Sequence, residues 1–146
     1  MDKNIKNEIA VYILNNNKQI LLQKHSDNKK YNPNMWSILK GHVEENEGII
    51  DAAIREIHEE LGLNVNIKDI HPLNNHQFTR RENNCNTFFF LIRCNLKEDD
   101  FIIKENELSA VKWVDIREII NNIKNNDTNI ALDKTQLIHL DYLRLL

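Results

Sequence analysis

The stretch GHVEENEGIIDAAIREIHEELGL, residues 41–63, decides the fold, because it contains the clearest helix of the chain. Its apolar residues recur at helical spacing, which predicts a helix over Glu47–Leu61 that ends at Gly62. The three glycines of the whole sequence all fall within this stretch, so its backbone has special requirements. One arc of the predicted helix is apolar and is expected to face the core; its residues are Ile50, Ile54, Ile57 and Leu61.

A second arc of the same helix is strongly acidic. At about 100° per residue, Glu56, Glu59 and Glu60 lie within an arc of roughly 100°. Clustered carboxylates repel one another unless a positive charge lies among them, and Arg55 reaches only part of the cluster. A hard divalent cation, Mg²⁺ or Mn²⁺, suits such oxygen ligands. The alternative is a solvated acidic helix face without a metal.

The rest of the chain mixes strands and helices without regular alternation. This pattern predicts an α+β or a layered α/β/α domain, and its length fits one domain over residues 1–146. Asp115 is the expected N-cap of the second helix. The predicted strands are Glu8–Leu14, Gln19–Gln23, Met35–Leu39, Val65–Ile70, Thr87–Cys94, expected to be central, and Ala110–Val114, and the other predicted helices are Asp115–Lys124 and Leu132–Leu146.

Charge and composition exclude several classes of protein. A formal net charge of −3 disfavours a general nucleic-acid binder, so no nucleic-acid polymer is expected as partner. No apolar run is long enough for a membrane helix, and the first residues lack the features of a signal peptide. The two cysteines, Cys85 and Cys94, form no metal-binding or disulfide pattern, which fits a reducing, cytoplasmic location.

The acidic helix and its flanks resemble the Nudix box of the MutT-like Nudix hydrolases. The matching pattern is Gly41, five residues, Glu47, seven residues, Arg55-Glu56-Ile57, one residue, Glu59-Glu60, one residue, and Gly62-Leu63. All nine specified positions agree, which makes the motif far more specific than an isolated glycine-rich loop. The order of predicted strands and helices also resembles the Nudix fold, which implies an α+β domain built as an α/β/α sandwich with a mixed β-sheet between helices.

The resemblance implies an enzyme that hydrolyses the diphosphate of a nucleoside diphosphate linked to another group, with Mg²⁺ or Mn²⁺ as cofactor. It implies that Glu56 and Glu60 are metal ligands and that Glu59 is a third ligand or the general base. The main-chain carbonyl of Lys40 is a further expected metal ligand. The resemblance counts Arg55 with the catalytic group, as a residue that holds the glutamates in register. Positioning roles are expected for Gly41, Glu47 and Gly62.

Other expected site residues lie outside the box. A carboxylate on a distant loop is an alternative general base, and Glu107 is the preferred candidate beside Glu82 and Glu105. Lys40, Arg80 and Arg81 are the expected phosphate-binding residues, while Lys29 and Lys30 extend the set of loop cations. Aromatic side chains that could stack on a base or pack in the core are Trp36, Phe78 and Phe88–Phe90. His42 and His58 are interpreted as structural or surface residues.

The substrate and two other functions stay open. Dinucleoside polyphosphates, nucleotide sugars and nucleoside triphosphates all fit the resemblance, with a small nucleotide as the partner and a monomer or homodimer as the assembly. A catalytically inactive, nucleotide-binding regulatory module is the main alternative, although the box glutamates are complete. The segment from Lys29 to Val43 also resembles isopentenyl-diphosphate-isomerase-like members of the superfamily. Those isomerases need a cysteine soon after Trp36, and this chain has none there.

Overall fold

The computed structural model describes residues 5–27, 32–79, 84–103 and 108–146, and for residues 74–79 it describes the backbone alone. Within these ranges, strands and helices are mixed along the chain, as the sequence predicts. The strands are β1 (Lys6–Leu14), β2 (Gln19–His25), β3 (Trp36–Ser37), β4 (Leu39–His42), β5 (His71–Thr79), β6 (Asn84–Arg93) and β7 (Leu108–Asp115), and the α-helices are α1 (Ile49–Leu61), α2 (Ile116–Lys124) and α3 (Leu137–Leu143).

The strands form a mixed sheet in the order β3-β2-β1-β6-β5, with β4 added to β1 and β7 added to β2. β1 and β6 run parallel, whereas every other described pair is antiparallel. β6 lies between β1 and β5, which confirms the interior position predicted for the TFFFLIRC segment. The α+β prediction with a mixed sheet is therefore correct.

Alternate residues of β1 face two different helical layers. Its Ile9, Val11 and Ile13 belong to the core beneath α1, and Ala10, Tyr12 and Leu14 belong to the core beneath α2 and α3. A strand buried on both faces reads as a continuous apolar run, and IAVYIL, residues 9–14, is such a run. The sheet therefore lies between helices, as an α/β/α sandwich requires.

Helix α1 is fixed at both ends by glycine. It begins at Ile49, two residues later than predicted, with Gly48 as an extended N-cap. Gly62 follows its last residue in the left-handed region, at φ 72°, and donates its backbone N–H to the carbonyl of His58. A left-handed C-cap strongly favours glycine, which is why the predicted end is right.

Three sequence-based boundaries are wrong. The predicted strand Val65–Ile70 contains a short 3-10 turn, and the strand of this region is β5, a few residues later. The apolar run Met35–Leu39 is divided between β3 and β4, which pair with β2 and β1. The closing helix is shorter than Leu132–Leu146, because a 3-10 turn capped by Asp133 precedes α3.

Neither a disulfide nor a membrane-spanning helix occurs among the described residues. No disulfide links residues within the described ranges, where Cys85 is buried and Cys94 is half-buried. Across the same ranges, every helix is too short or too polar to cross a lipid bilayer.

Candidate active site

The acidic box begins on β4 and turns into α1 through a tight loop. Gly41 lies opposite Ile9 of β1, so the sheet fixes the position of the box's first glycine. The loop closes as a turn in which the backbone N–H of Glu47 donates to the carbonyl of Glu44 over 3.1 Å. The Glu47 carboxylate then accepts the backbone N–H of Glu44 over 3.0 Å, so its side chain holds the loop that precedes the helix.

Arg55 connects this loop to the helix. Its Nε donates to Glu47 Oε2 over 2.8 Å, and its Nη2 donates to Glu47 Oε1 over 3.0 Å. The same Nη2 donates to the carbonyl of His42, at the end of β4, over 2.9 Å. The planar guanidinium suits this bidentate arrangement, which ties strand, loop and helix together.

The other edge of the guanidinium faces the acidic arc of the helix. Arg55 Nη1 donates to Glu56 Oε1 over 2.8 Å and to Glu59 Oε2 over 3.1 Å. Arg55 Nε also lies 3.1 Å from Glu44 Oε1. One cation therefore contacts four carboxylates, which belong to Glu44, Glu47, Glu56 and Glu59.

These contacts shift the titration of both partners in the Arg55–Glu47 pair. The hydrogen bond from Arg55 is the main cause that lowers the pKa of the Glu47 carboxyl below its ordinary value. The hydrogen bond to Glu47 likewise raises the pKa of Arg55. Both groups therefore stay charged at neutral pH, and the link between loop and helix persists.

The side chain of Glu56 packs against the backbone of Gly41. A Cβ added to Gly41 would lie only 2.6 Å from Glu56 Oε1, closer than real Cβ contacts come. Glycine at this position therefore leaves the room that the carboxylate occupies. This close approach explains why the first position of the box is a glycine.

The acidic arc is turned further into the protein than the helical pattern predicts. Glu60 is buried at 8% exposure, whereas Ile50 and Ile54, expected in the core, are half-buried. The side chains of Glu56 and Glu59 are 15% and 44% exposed. The exposure of the three carboxylates therefore increases from Glu60 through Glu56 to Glu59, because the buried face of α1 is centred between Ala53 and Glu60.

The residues fit a divalent cation by their donor chemistry, although they are not gathered around one point. Carboxylate oxygens are the ligands that Mg²⁺ and Mn²⁺ prefer, and the room beside Gly41 admits the Glu56 carboxyl next to the backbone of β4. Among the described residues, however, no three acidic, histidine or cysteine side chains form a ready-made metal cluster. Glu56 and Glu59 instead converge on Arg55.

Lys40 has its backbone and its side chain in different surroundings. It pairs with Ala10 of β1, which belongs to the core beneath α2 and α3. Because successive side chains of a strand alternate, the Lys40 side chain lies on the face of the sheet opposite Glu56. The backbone of Lys40 adjoins Gly41 and remains beside the helix carboxylates. This placement fits the expected role of the Lys40 carbonyl as a metal ligand better than a role for its side chain at these carboxylates.

Several expected site residues cannot be placed. The candidate general bases outside the box and the cations expected on loops lie outside the described residues, and the side chain of Phe78 does as well. The roles expected for them therefore remain predictions. The carboxylates among them are Glu82, Glu105 and Glu107, and the positively charged residues are Lys29, Lys30, Arg80 and Arg81.

Most of the aromatic candidates pack in the core. Phe89 and Phe90 are buried on opposite faces of β6, and Phe88 is partly buried beside the core beneath α1. Trp36 is half-buried at the edge of a groove of about 430 Å³, and Lys112 Nζ lies 4.2 Å from the centre of its ring. The groove is lined by residues of β2, β7 and α2 and by none of the box carboxylates.

The box also contains two histidines and Glu44. The side chains of His42 and His58 are exposed, and within the box their backbone carbonyls accept hydrogen bonds. Glu44 was not singled out from the sequence, yet it forms an ion pair with Arg55. Its only signal is a charge at a position that the box pattern leaves open, so the pattern alone does not identify it.

Comparison with known proteins assigns the chain to a family. The family model of the NUDIX domain matches residues 5–135. The chain is 28% identical over 116 residues to Nudix hydrolase 6 of Arabidopsis thaliana, a match that covers 77% of this chain. The chain spans only 40% of that relative's length.

Solved structures share the fold at lower identity. The crystal structure of DR0079 from Deinococcus radiodurans has a TM-score of 0.71 and 19% identity, covering 96% of this chain and 82% of that one. The NUDIX domain of Shewanella oneidensis NrtR, crystallised with ADP ribose, has a TM-score of 0.70 and 16% identity, covering 100% and 90%. The family match over residues 5–135 shows that the protein belongs to the NUDIX domain family, and the solved structures share its fold.

Proposed function

We propose that the protein is a Mg²⁺- or Mn²⁺-dependent pyrophosphohydrolase that cleaves the diphosphate of a nucleoside diphosphate linked to another group. The observation that carries this proposal is the seating of Glu56 against Gly41, beside Glu59 and the buried Glu60. Such a set of carboxylates next to a strand end can hold a hard cation. When bound, the cation would neutralise the phosphates and activate water. The NrtR domain crystallised with ADP ribose supports a nucleotide as the substrate class.

The box residues have distinct roles in this proposal. Glu56 and Glu60 hold the cation, with the carbonyl of Lys40 as a further oxygen ligand. Glu59 is the most exposed of the three helix carboxylates and is available as a third ligand or as the base that takes a proton from water. Arg55 fixes the orientation of Glu56 and Glu59, and Glu47 in turn fixes Arg55.

Residues outside the box complete the proposed reaction. Glu107 is the alternative base, and Glu107→Gln compared with Glu59→Gln would decide which carboxylate accepts the proton. Arg80 and Arg81 are proposed to bind the substrate phosphates, whereas Lys40, whose side chain lies on the other face of the sheet, is proposed to contribute its carbonyl alone. Loss of the base lowers kcat, whereas loss of a phosphate contact made equally in ground and transition states raises KM.

The test is a hydrolysis assay with a panel of dinucleoside polyphosphates, nucleotide sugars, ADP-ribose and nucleoside triphosphates. Purified protein is incubated with Mg²⁺ or with a chelator, and the products are separated by chromatography. We expect cleavage of one class that stops in the chelator and in Glu56→Gln. If no class is cleaved by folded protein, the binding-module alternative replaces the proposed hydrolase.

A further inference from the structure

The side chain of Gln23 is a buried polar group that lacks a hydrogen-bond acceptor for its amide nitrogen. The residue is 2% exposed, and no group in the described ranges accepts a hydrogen bond from Gln23 Nε2. A buried donor without an acceptor lowers stability, whereas an apolar side chain of similar size would fill the same place without this cost. Gln23 therefore points to an acceptor that the chain itself does not supply.

Gln23 lies on the face of the sheet that carries the candidate site. Val111 of β7 is paired with Gln23 and packs against the core beneath α1, so the Gln23 side chain faces the same layer. On its other flank, Gln23 pairs with Ser37 of β3. The Cα atoms of Ser37 and Gly41 are at most about 14 Å apart, because four residues of chain separate them. A nucleoside that extends from a diphosphate bound beside Gly41 can reach across such a distance.

The polar neighbours of Gln23 on this face already have partners. His25 Nε2 lies 2.9 Å from Ser37 Oγ, and His25 Nδ1 lies 2.9 Å from the carbonyl oxygen of Asn32. The Ser37 hydroxyl also contacts the carbonyl of Ile38 over 3.0 Å. The amide nitrogen of Gln23 is therefore the hydrogen-bond donor that this group leaves available.

The surroundings of Gln23 favour an uncharged acceptor. Lys24 of β2 and Lys112 of β7 line the groove beside Trp36, on the face of the sheet opposite Gln23. Neither lysine accompanies the amide, whereas phosphate sites commonly combine their donors with a cation. A carbonyl oxygen of a nucleobase is an uncharged acceptor that suits one neutral N–H donor.

We propose that Gln23 is a specificity-determining residue that donates a hydrogen bond from Nε2 to a carbonyl oxygen of the substrate's nucleobase. This inference rests on the proposed nucleotide hydrolysis. The donor selects hypoxanthine over adenine, because adenine carries an amino group where hypoxanthine carries an oxygen, and two donors would then face each other. Since the amide is shielded from water, solvent does not replace the missing acceptor and the mismatched base is disfavoured.

The test compares the adenosine and inosine forms of the compound class that the wild-type protein cleaves best, which for triphosphates are ATP and ITP. Steady-state kinetics with Mg²⁺ give kcat/KM for both forms in wild type, Gln23→Met and Gln19→Met. Gln23→Met keeps the length of the side chain and removes the amide. Gln19→Met is the control, because it removes an amide from the same strand whose oxygen accepts a hydrogen bond from Asn15. Melting curves check that each variant is folded.

We expect the wild-type protein to favour the inosine form about tenfold, the size of one well-formed hydrogen bond. The ratio should fall to about one in Gln23→Met and persist in Gln19→Met. A wild-type ratio of one, or a preference that survives in folded Gln23→Met, would overturn the role of Gln23 and leave the proposed hydrolase intact. If Gln23→Met does not fold, the wild-type ratio alone decides. If no nucleotide of the panel is cleaved, the proposed function fails, and this inference fails with it.

Discussion

At the scale of single residues, Arg55 shows how one side chain can tie a loop to a helix. Its guanidinium donates to the Glu47 carboxylate through Nε and Nη2, and Nη2 also donates to the His42 carbonyl. Its remaining edge reaches Glu56 and Glu59. Because the group is fully charged and planar, these bonds have fixed directions, which sets the orientation of the carboxylates proposed to bind metal.

The Arg55–Glu47 pair predicts how stability responds to acid. The folded pKa of Glu47 lies below its ordinary value of 4.5, so the pair stabilises the protein above that pH. This stability is lost as the pH falls through the lowered folded pKa. We expect the difference in melting temperature between wild type and Glu47→Gln to be largest near neutral pH and to shrink below about pH 4.5.

Melting curves from pH 7 to pH 3 measure this difference. Glu45→Gln is the control, because no described residue forms an ion pair with Glu45. A difference that stays constant across the whole range would show that the ion pair adds no stability.

A single methyl group added at Gly41 is expected to lower activity strongly. In Gly41→Ala, the new Cβ would collide with the Glu56 carboxyl, so Glu56 must move away from the backbone of β4. We expect kcat/KM to fall on the order of tenfold or more, which corresponds to about 1.4 kcal/mol or more in activation free energy.

Gly48→Ala is the matched control for this prediction. Its Cβ would meet mainly the movable end of the Asp51 side chain, and its φ of −71° suits alanine. Steady-state kinetics of both variants should show loss only in Gly41→Ala. Equal activity would mean that the seating of Glu56 beside Gly41 is unimportant.

At the scale of elements, α1 is well specified by local signals. Its apolar residues recur at helical spacing, and the left-handed Gly62 stops it where the sequence predicts. Its rotation about its axis is less well specified, because contacts with the sheet decide which side is buried. That is why the burial of Glu60 could not be predicted from spacing alone.

β5, in contrast, is poorly specified by local signals. Its sequence HPLNNHQFT lacks apolar alternation, and its strand structure depends on antiparallel pairing with β6. Such pairing is a long-range contact that local patterns do not contain. The neighbouring segment Val65–Ile70 alternates like a strand yet contains a 3-10 turn, and Ile70 is the residue of it that is buried.

The C-cap of α1 gives a prediction about stability. Gly62 has a φ of 72°, and an added Cβ would lie 2.9 Å from the Cβ of Ile102. Gly62→Ala should therefore lower the free energy of unfolding by about 1 kcal/mol or more. Denaturant unfolding measures this change, and a variant as stable as the wild type would contradict the strained cap.

At the scale of the whole molecule, the sheet supports two helical layers with different tasks. α1 carries the candidate site on one face, and α2 and α3 close the core on the other. The Tyr12 hydroxyl lies 3.0 Å from His139 Nδ1 and accepts the side-chain N–H of Gln136 over 3.1 Å. This buried contact joins β1 to the C-terminal part of the chain.

Tyr12→Phe tests that connection. The variant removes a buried hydroxyl that serves two polar side chains, so we expect a loss of about 1–2 kcal/mol in the free energy of unfolding. Tyr142→Phe, at an exposed position of α3, is the control and should change little. Chemical denaturation of both variants gives the comparison. Equal stabilities would show that the buried hydroxyl adds nothing.

Sequence reasoning identified the centre of the candidate site better than its surroundings. The box places Glu56, Glu59 and Glu60 on one helix, and helix geometry alone brings them together. The role of Gly41 beside Glu56 needs the approach of β4 to α1, which is a tertiary contact. A short motif does not specify the part played by residues far along the chain, such as the proposed Glu107 and Arg80.

The most direct test of the metal-dependent hydrolase is the rate of diphosphate cleavage in wild type, Glu60→Gln and Glu45→Gln, measured against Mg²⁺ concentration. The substrate is the compound that the wild-type protein cleaves best in the panel. We predict that Glu60→Gln loses at least about tenfold in rate while remaining folded, and that Glu45→Gln behaves like the wild type. A Glu60→Gln variant with unchanged turnover and Mg²⁺ dependence would contradict the proposed active site.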